Sequence, residues 1–391
     1  MVCVGAAALL AGVGITAANA DVVGSTGAPS QSAGPSGQPS ASSGRSTGSP
    51  SSPPSGRAST GPSASAKPTA TATSSSNSDV SDVVEAADTF VDTLSSSQQS
   101  SVLLDFTEDN ATAWSNLPCG STCRVGIEFS TLSSTQLAAA KAVLKAATGT
   151  GTNSGYKQIE KILAADDKLG ETATGYGSGN YYLAFLGDPS TTGTWQLHFG
   201  GHHLAVNITY ANGAVEGISP FFIGVEPTSF TDDDGDTVEA LGAMHDAILA
   251  LTSSLSTSQL AEAKLSTSYS DVLLGPDEDG EFPTTKSGIA VSELSDTQQS
   301  LVLAAIEQWV DIADDTTAAS VLSTYKSELD KTYVSYSGGT DLTSQGDYVR
   351  IDGPGVWIEF VCQNGVVYSS QIHFHTVYRD HNTDYGGEFS F

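Results

Sequence analysis

Seven histidines occur in 391 residues. Six of them fall in two short stretches: His198, His202 and His203 in 195–204, and His373, His375 and His381 in 373–381. His245 stands apart. Neutral imidazole is the commonest metal ligand, and it suits zinc, copper and iron. His373 and His375 are two residues apart in a stretch with strand character. Period-two geometry puts both rings on one face, a bidentate arrangement for a metal ion. His202 and His203 are adjacent, so in a regular strand they face opposite sides and only one can enter such a site. Gly200-Gly201 before them predicts a bulge or kink that re-aims a side chain. If the two stretches pack side by side, His202 or His203 joins His373 and His375. Three histidines with an open fourth position are the form of a catalytic zinc site. The expected cofactor is therefore a divalent metal ion, zinc first, with copper or iron as alternatives.

Carboxylates follow the second stretch. Asp380 or Asp384 is placed in sequence to complete a ligand set, to orient an imidazole, or to act as general base on a bound water. Arg379 either pins one of these carboxylates or binds an anionic substrate group. A turn stapled by an Arg–Asp pair explains the same residues without chemistry. Glu359, two after Trp357 on a strand, is a further carboxylate candidate.

The elements that must position these groups are legible. Four segments share Leu-Ser-x-x-Gln, starting at Leu94, Leu132, Leu255 and Leu294. Each predicts a helix start: Ser caps the N-terminus, Gln reaches back in a capping box, and Leu acts as a hydrophobic staple. The first two Leu are 38 apart (94 to 132) and the second two 39 (255 to 294). Leu132 to Trp195 and Leu294 to Trp357 are both 63 residues, each Trp preceded by a Tyr–Gly–Pro phrase at 182–189 or 348–354. This predicts an internal duplication, with halves at about 80–230 and 231–391, each several helices followed by antiparallel hairpin strands. Strands are expected at 180–186, 194–199 and 203–210, and at 348–351, 356–361 and 366–378, with Asn212-Gly213 and Asn364-Gly365 as turns. Helices and strands come in separate runs, which favours an α+β fold.

Acidic residues outnumber basic ones 44 to 15, a formal net charge of -29. That field repels nucleic acid and anionic membranes. Residues 1–20 read as a secretory signal, ending in the A-x-A pattern Ala18-Asn19-Ala20. Residues 21–79, almost wholly Ser, Gly, Pro, Thr and Ala, lack the apolar side chains to build a core and read as a disordered spacer. The folded part, 80–391, is long enough for one large domain. No stretch after the signal could span a membrane. Cys119 and Cys123 suit a small disulfide loop in an exported chain. Cys362, in an apolar run, reads as a buried thiol, with a soft metal ligand as the lesser alternative. Asp232 to Asp236 is acid-dense like a calcium loop, but the twelfth position is Ala243, so the acids are expected to cap a helix over 236–251. Asp277-Glu278-Asp279-Gly280 reads as an exposed turn and His245 as a packing residue. Gly-x-Ser-x-Gly, phosphate-loop and His-Glu-x-x-His motifs are absent from the sequence.

Gly201-His202-His203-Leu204, Pro220-Phe221-Phe222-Ile223-Gly224-Val225-Glu226-Pro227, and His373-Phe374-His375 with Tyr378-Arg379-Asp380 and Asp384-Tyr385-Gly386 together resemble a mainly bacterial family. It is the domain of unknown function numbered 3500, and the resemblance covers about residues 80–391. It implies which residues matter rather than an activity, and His381 is not among those it singles out. Three functions fit the sequence. The first is a secreted zinc hydrolase acting on a small molecule or extracellular substrate. The second is a metal-handling protein without turnover. The third is an extracellular structural or adhesive module whose histidines only hydrogen-bond.

Overall fold

The computed structural model describes residues 78–391. The signal over 1–20 and the spacer up to residue 77 lie outside the described residues. Ser78 and Asp79, expected in the spacer, are already helical.

The first half carries helices α1 (Ser78–Asp92), α2 (Ser96–Val102), α3 (Glu108–Ala111), α4 (Ser134–Ala147) and α5 (Gly155–Gly170). Its strands are β1 (Leu103–Leu104), β2 (Ile127–Glu128), β3 (Tyr182–Leu186), β4 (Thr194–Gly201), β5 (Leu204–Ala211), β6 (Ala214–Gly217) and β7 (Phe221–Val225). A small hairpin, β8 (Phe230–Thr231) and β9 (Thr237–Val238), leads into the second half. There follow α6 (Gly242–Ser254), α7 (Thr257–Ala263), β10 (Ile289–Ala290), α8 (Asp296–Val310) and α9 (Asp315–Glu328). Strands β11 (Tyr333–Ser337), β12 (Tyr348–Asp352), β13 (Val356–Asn364) and β14 (Ile372–Asp380) complete the fold, which is α+β.

All four expected capping boxes form, at Ser95, Ser133, Ser256 and Ser295. Each N-cap is worth about 1 kcal/mol. The capping glutamines also meet in pairs. Gln136 Nε2 donates to Gln98 Oε1 at 3.1 Å and to Thr93 O at 2.9 Å. Gln298 Nε2 does the same to Gln259 Oε1 and Ser254 O.

One twelve-stranded sheet runs β1-β3-β4-β5-β7-β14-β13-β12-β11-β10, with β2 on β3 and β6 on β5. The halves join where β7 pairs antiparallel with β14. Counted outward from that seam, Trp195 sits on the third strand, β4, whereas Trp357 sits on the second, β13. The equal 63-residue spacings are therefore not a strand-for-strand register. What the halves share is the order of capped helices followed by strands.

The helices cover one face of the sheet with an apolar core that includes Trp195, Leu197, Phe199, Ile358 and Phe360. On β14 the even-numbered side chains point to it: Thr376 Oγ1 accepts from Trp309 Nε1 on α8, and the Tyr378 hydroxyl meets that of Tyr325 on α9. Odd-numbered residues face the other way, where Val377 packs with Trp114, Ala205 and Phe222. Irregular segments cover this second face. Among the described residues, no helix is long and apolar enough to cross a membrane.

Three local expectations change. The acids at 232–236 do not cap a helix; Asp232 Oδ1 accepts from the backbone N–H of Asp234 and Asp236 inside the β8–β9 turn, and α6 starts only at Gly242. The last strand begins at Ile372 rather than 366, because the Glu226 carboxylate captures the N–H groups of Val367 and Tyr368 and holds them out of the ladder. Asp279 is not an exposed turn residue but the ion-pair partner of Arg379. Cys119 and Cys123 form the expected disulfide. Cys362 lies in the helix-side core, its thiol pushed up to about 12 by burial, and faces away from the histidines.

Candidate metal centre

Gly201 pairs with Leu204, so His202 and His203 are themselves the two-residue turn between β4 and β5. They are not strand residues, as the glycine-kink expectation had them. His203 takes φ 62°, the left-handed conformation that non-glycine residues adopt only in turns. Gly201 is required because a Cβ there would lie 2.5 Å from the Tyr181 ring. The turn is pinned inside the protein: Tyr181 donates to His202 O at 2.6 Å, Gly224 N to His203 O at 2.7 Å, and His203 N to Asn116 O at 3.2 Å. The two rings stack with centroids 3.7 Å apart, so adjacent histidines project to one side. A regular strand would have separated them.

On β14, His373 and His375 share one face as the period-two pattern requires. Their Nε2 atoms are 3.2 Å apart. Two nitrogens bound to one tetrahedral zinc at ~2.0–2.1 Å stand ~3.3 Å apart. His375 pairs with Gly224 across the seam. A Cβ on Gly224 would come within 2.9 Å of His375 Cδ2 and 3.0 Å of His203 Cδ2, so the missing side chain is what lets the two rings converge. One nitrogen each from His203, His373 and His375 lies within 4.8 Å of the others. All three residues are buried; far apart in sequence, they meet because β7 joins β5 to β14 in the sheet.

Carboxylates stand behind the rings. Asp271 Oδ1 is 2.9 Å from His375 Nδ1, which places that proton on Nδ1 and leaves the Nε2 lone pair facing the cluster. Gln363 lies beside the same pair and hydrogen-bonds the Asp271 carboxylate. Burial opposes ionisation of Asp271, but the hydrogen bonds from His375 and Gln363 outweigh it and hold the carboxyl below its usual range. Asp166 Oδ1 binds His202 Nδ1 at 2.6 Å, and Tyr176 packs edge-on to the His202 ring. Burial, then the charges of His202, His375 and His373, keeps His203 well below the ordinary imidazole value. Burial, then His375, takes His373 down to about 4. Both rings are thus neutral at pH 7, the state in which imidazole binds metal. His373 Nδ1 is buried without a well-formed hydrogen bond, although the Asn364 backbone favours its protonated form.

A family model described as "Protein of unknown function (DUF3500)" matches residues 76–387. The chain belongs to this family. No curated protein and no solved structure matches it. In this DUF3500 protein, the stretches around residues 201–204, 224 and 373–375, quoted above for the resemblance, meet at the seam. Of the four histidines expected as ligands, His203, His373 and His375 converge, while His202 stacks on His203 and is held by Asp166.

The carboxylates and arginine expected as catalytic residues lie elsewhere. Asp380 is even-numbered, so it faces the helices, where it accepts from the Tyr325 hydroxyl and from the N–H groups of Asn382 and Thr383. Arg379 and Asp384 share the histidines' side of the sheet but lie at the far end of β14. Four or more residues at ~3.3 Å each separate them from His375. Arg379 donates to Asp279, Asp384, Leu274 O and Gly275 O and is fully buried. The stapling role considered for it is the one observed. Glu359 accepts from the N–H groups of Leu273 and Leu274, from Tyr348 and from Trp357. Glu359 and Arg379 thereby clamp the segment that delivers Asp271 to His375. His381 pairs with Asp352, and His245 stacks on Phe374 in the core.

Asp166, Asp271 and Gln363 carry no role in the sequence reading, and Gly224 enters it only within a phrase of the resemblance. Asp166 had a signal: it continues the buried stripe Ile159, Ile162, Leu163 of α5, where a carboxylate needs a partner. Replacing Asp271 by Asn should weaken zinc binding ~10- to 100-fold by loosening the His375 tautomer. The metal-free melting temperature should hold. Competition against a chromophoric chelator measures this, and a change below twofold would remove Asp271 from the site.

His198 lies apart from the cluster, its Nε2 3.3 Å from Ala113 O. Burial brings its pKa down to about 4. Its neutral form favours the fold above the unfolded value near 6.5, and that stability is lost as pH falls toward about 4. Between pH 6.5 and 5 the loss is roughly 2 kcal/mol. Urea unfolding of metal-free protein should show it, and His198→Gln should flatten the slope. Equal slopes in both chains would contradict the assignment.

Proposed function

We propose that this chain is a secreted metal-binding protein whose ion is held by His203, His373 and His375 at the seam of its two halves. The observation that carries the proposal is the convergence of three buried imidazoles over Gly224, two of them spaced as ligands of one ion. An all-imidazole set favours zinc, with copper or iron next. Asp271 behind His375 is the carboxylate–histidine pairing typical of metal ligands. The signal-like 1–20 and the Cys119–Cys123 disulfide support export to an oxidising compartment.

Turnover is the second reading. Three protein ligands leave a fourth position that a water could take. A zinc-bound water there would have its pKa lowered to about 7 and could serve hydrolysis of an extracellular substrate. Asp380 and Asp384 are not placed to assist it, so metal binding without turnover is the better supported role.

Protein purified without an affinity tag should contain about one equivalent of zinc, copper or iron per chain. Stripping it with a chelator should lower the melting temperature by roughly 5–10 °C, since a ligand that binds only the folded state stabilises it. A metal-free chain whose melting temperature ignores both chelator and added zinc would refute the proposal.

A further inference from the structure

The histidines are not the only unusual polar feature. A groove of about 560 Å³ is lined by Trp114, Leu117, Thr122, Arg124, the Cys119–Cys123 disulfide and Asp277, among others. That volume suits a small organic ligand. Arg124 forms part of its wall and is 7% exposed. One terminal nitrogen donates to Ser115 O at 2.7 Å and Leu117 O at 2.5 Å. The other reaches only the disulfide sulfurs, 3.4 Å from Cys119 and 3.5 Å from Cys123. Sulfur is a weak acceptor.

Among the described residues, no carboxylate lies within ion-pair distance of Arg124. Arg379, also buried, has two, Asp279 and Asp384, while Arg350, which likewise lacks an ion pair, is set over the Trp357 ring. The contrast matters in a chain with 44 acidic and 15 basic residues, where acids are abundant. A buried guanidinium without a counter-charge is costly. Burial accordingly lowers the Arg124 pKa from its ordinary value, opposed only by the more distant Tyr181, Tyr182 and Asp166. The groove beside it also has apolar surface to offer: Leu117 is 58% exposed, and the Trp114 indole forms another part of the wall.

We propose that this groove binds a small organic monocarboxylate, its carboxylate on Arg124 and its apolar body against Trp114 and Leu117. The carboxylate takes over the donors of the one terminal nitrogen now spent on sulfur, a charge-assisted contact far stronger than the sulfur contacts it replaces. Asp277 on the groove wall and the strongly acidic chain work against a doubly charged anion such as phosphate. The site shares no residue with the three-histidine cluster, and the inference stands whether or not a metal binds there.

Sodium benzoate is the probe, titrated into the full chain by calorimetry. Saturable one-to-one binding is expected in the range below ~10 mM, with inorganic phosphate at least ~10-fold weaker. Arg124→Gln should lose benzoate ~10-fold or more. Because Arg124 also ties down Ser115 and Leu117, a second variant is needed. Thr122→Trp, at an exposed position, should fill the groove and abolish binding at an unchanged melting temperature. Absence of benzoate binding to the parent chain would overturn the proposal. So would undiminished binding by either variant, or phosphate binding as tight as benzoate.

Discussion

Zinc affinity should fall roughly 100- to 1,000-fold when His375 is replaced by Ala, and by a similar factor for His373→Ala. Zinc held by a small structural site is worth about 10–16 kcal/mol, and one ligand of three or four carries ~3–4 kcal/mol of it. The metal-free fold should barely notice. His375 makes its ladder contacts through the backbone, and removing its ring frees an Asp271 that already reaches solvent. In His373 the ring nitrogen Nδ1 lacks a well-formed partner, so its deletion relieves a buried polar atom. Isothermal titration of zinc into chelated protein measures the loss, with circular dichroism to confirm the fold. Gly224→Ala is the informative companion. It keeps all three histidines but inserts a methyl group within 3.0 Å of two rings. It too should weaken zinc, because the rings must part. If His375→Ala binds zinc like the parent, the cluster is a packed set of histidines and not a centre.

How far the sequence reveals this site depends on how local each determinant is. The His373–His375 pair follows from period two alone, and the structure keeps it. The same parity rule places Asp380 on the opposite face, and applying it there would have removed that residue from the candidates. His202 and His203 were misjudged because a strand was assumed across them. They form a hairpin turn buried under α5, and a turn can send adjacent side chains the same way. The capping boxes were legible because Ser and Gln three residues apart satisfy each other within one helical turn. The long spacings were not, since equal distances in sequence say nothing about which strand of a sheet is reached. Asp271 lies 104 residues from its partner His375, in a segment with no periodicity. Only tertiary contacts bring it in, and nothing in its neighbours announces them.

Those contacts predict the largest loss of stability. Arg379→Met should cost about 3–5 kcal/mol, the usual penalty for breaking a fully buried ion pair from one side. The guanidinium is 0% exposed and uses three nitrogens on four acceptors: two carboxylates and two backbone carbonyls. Its removal takes the counter-charge from Asp384, whose carboxyl burial already raises despite the opposing arginine. A raised carboxyl stabilises the fold only at low pH, where it is protonated, and withdraws that help as pH rises. Without Arg379 the shift grows. The deficit should therefore be greatest at neutral pH and narrow as pH falls. Arg379→Lys should not rescue it, because one ammonium cannot span the fork of acceptors. Zinc should suffer as well, roughly tenfold. Leu274 and Gly275 lie three and four residues after Asp271, and freeing them leaves Glu359 alone to hold the segment against His375. Urea unfolding at pH 7 and pH 5, with zinc titration of the folded variant, separates the two effects. A loss under 1 kcal/mol, or a deficit that widens in acid, would mean that the arginine is not the clamp its contacts describe.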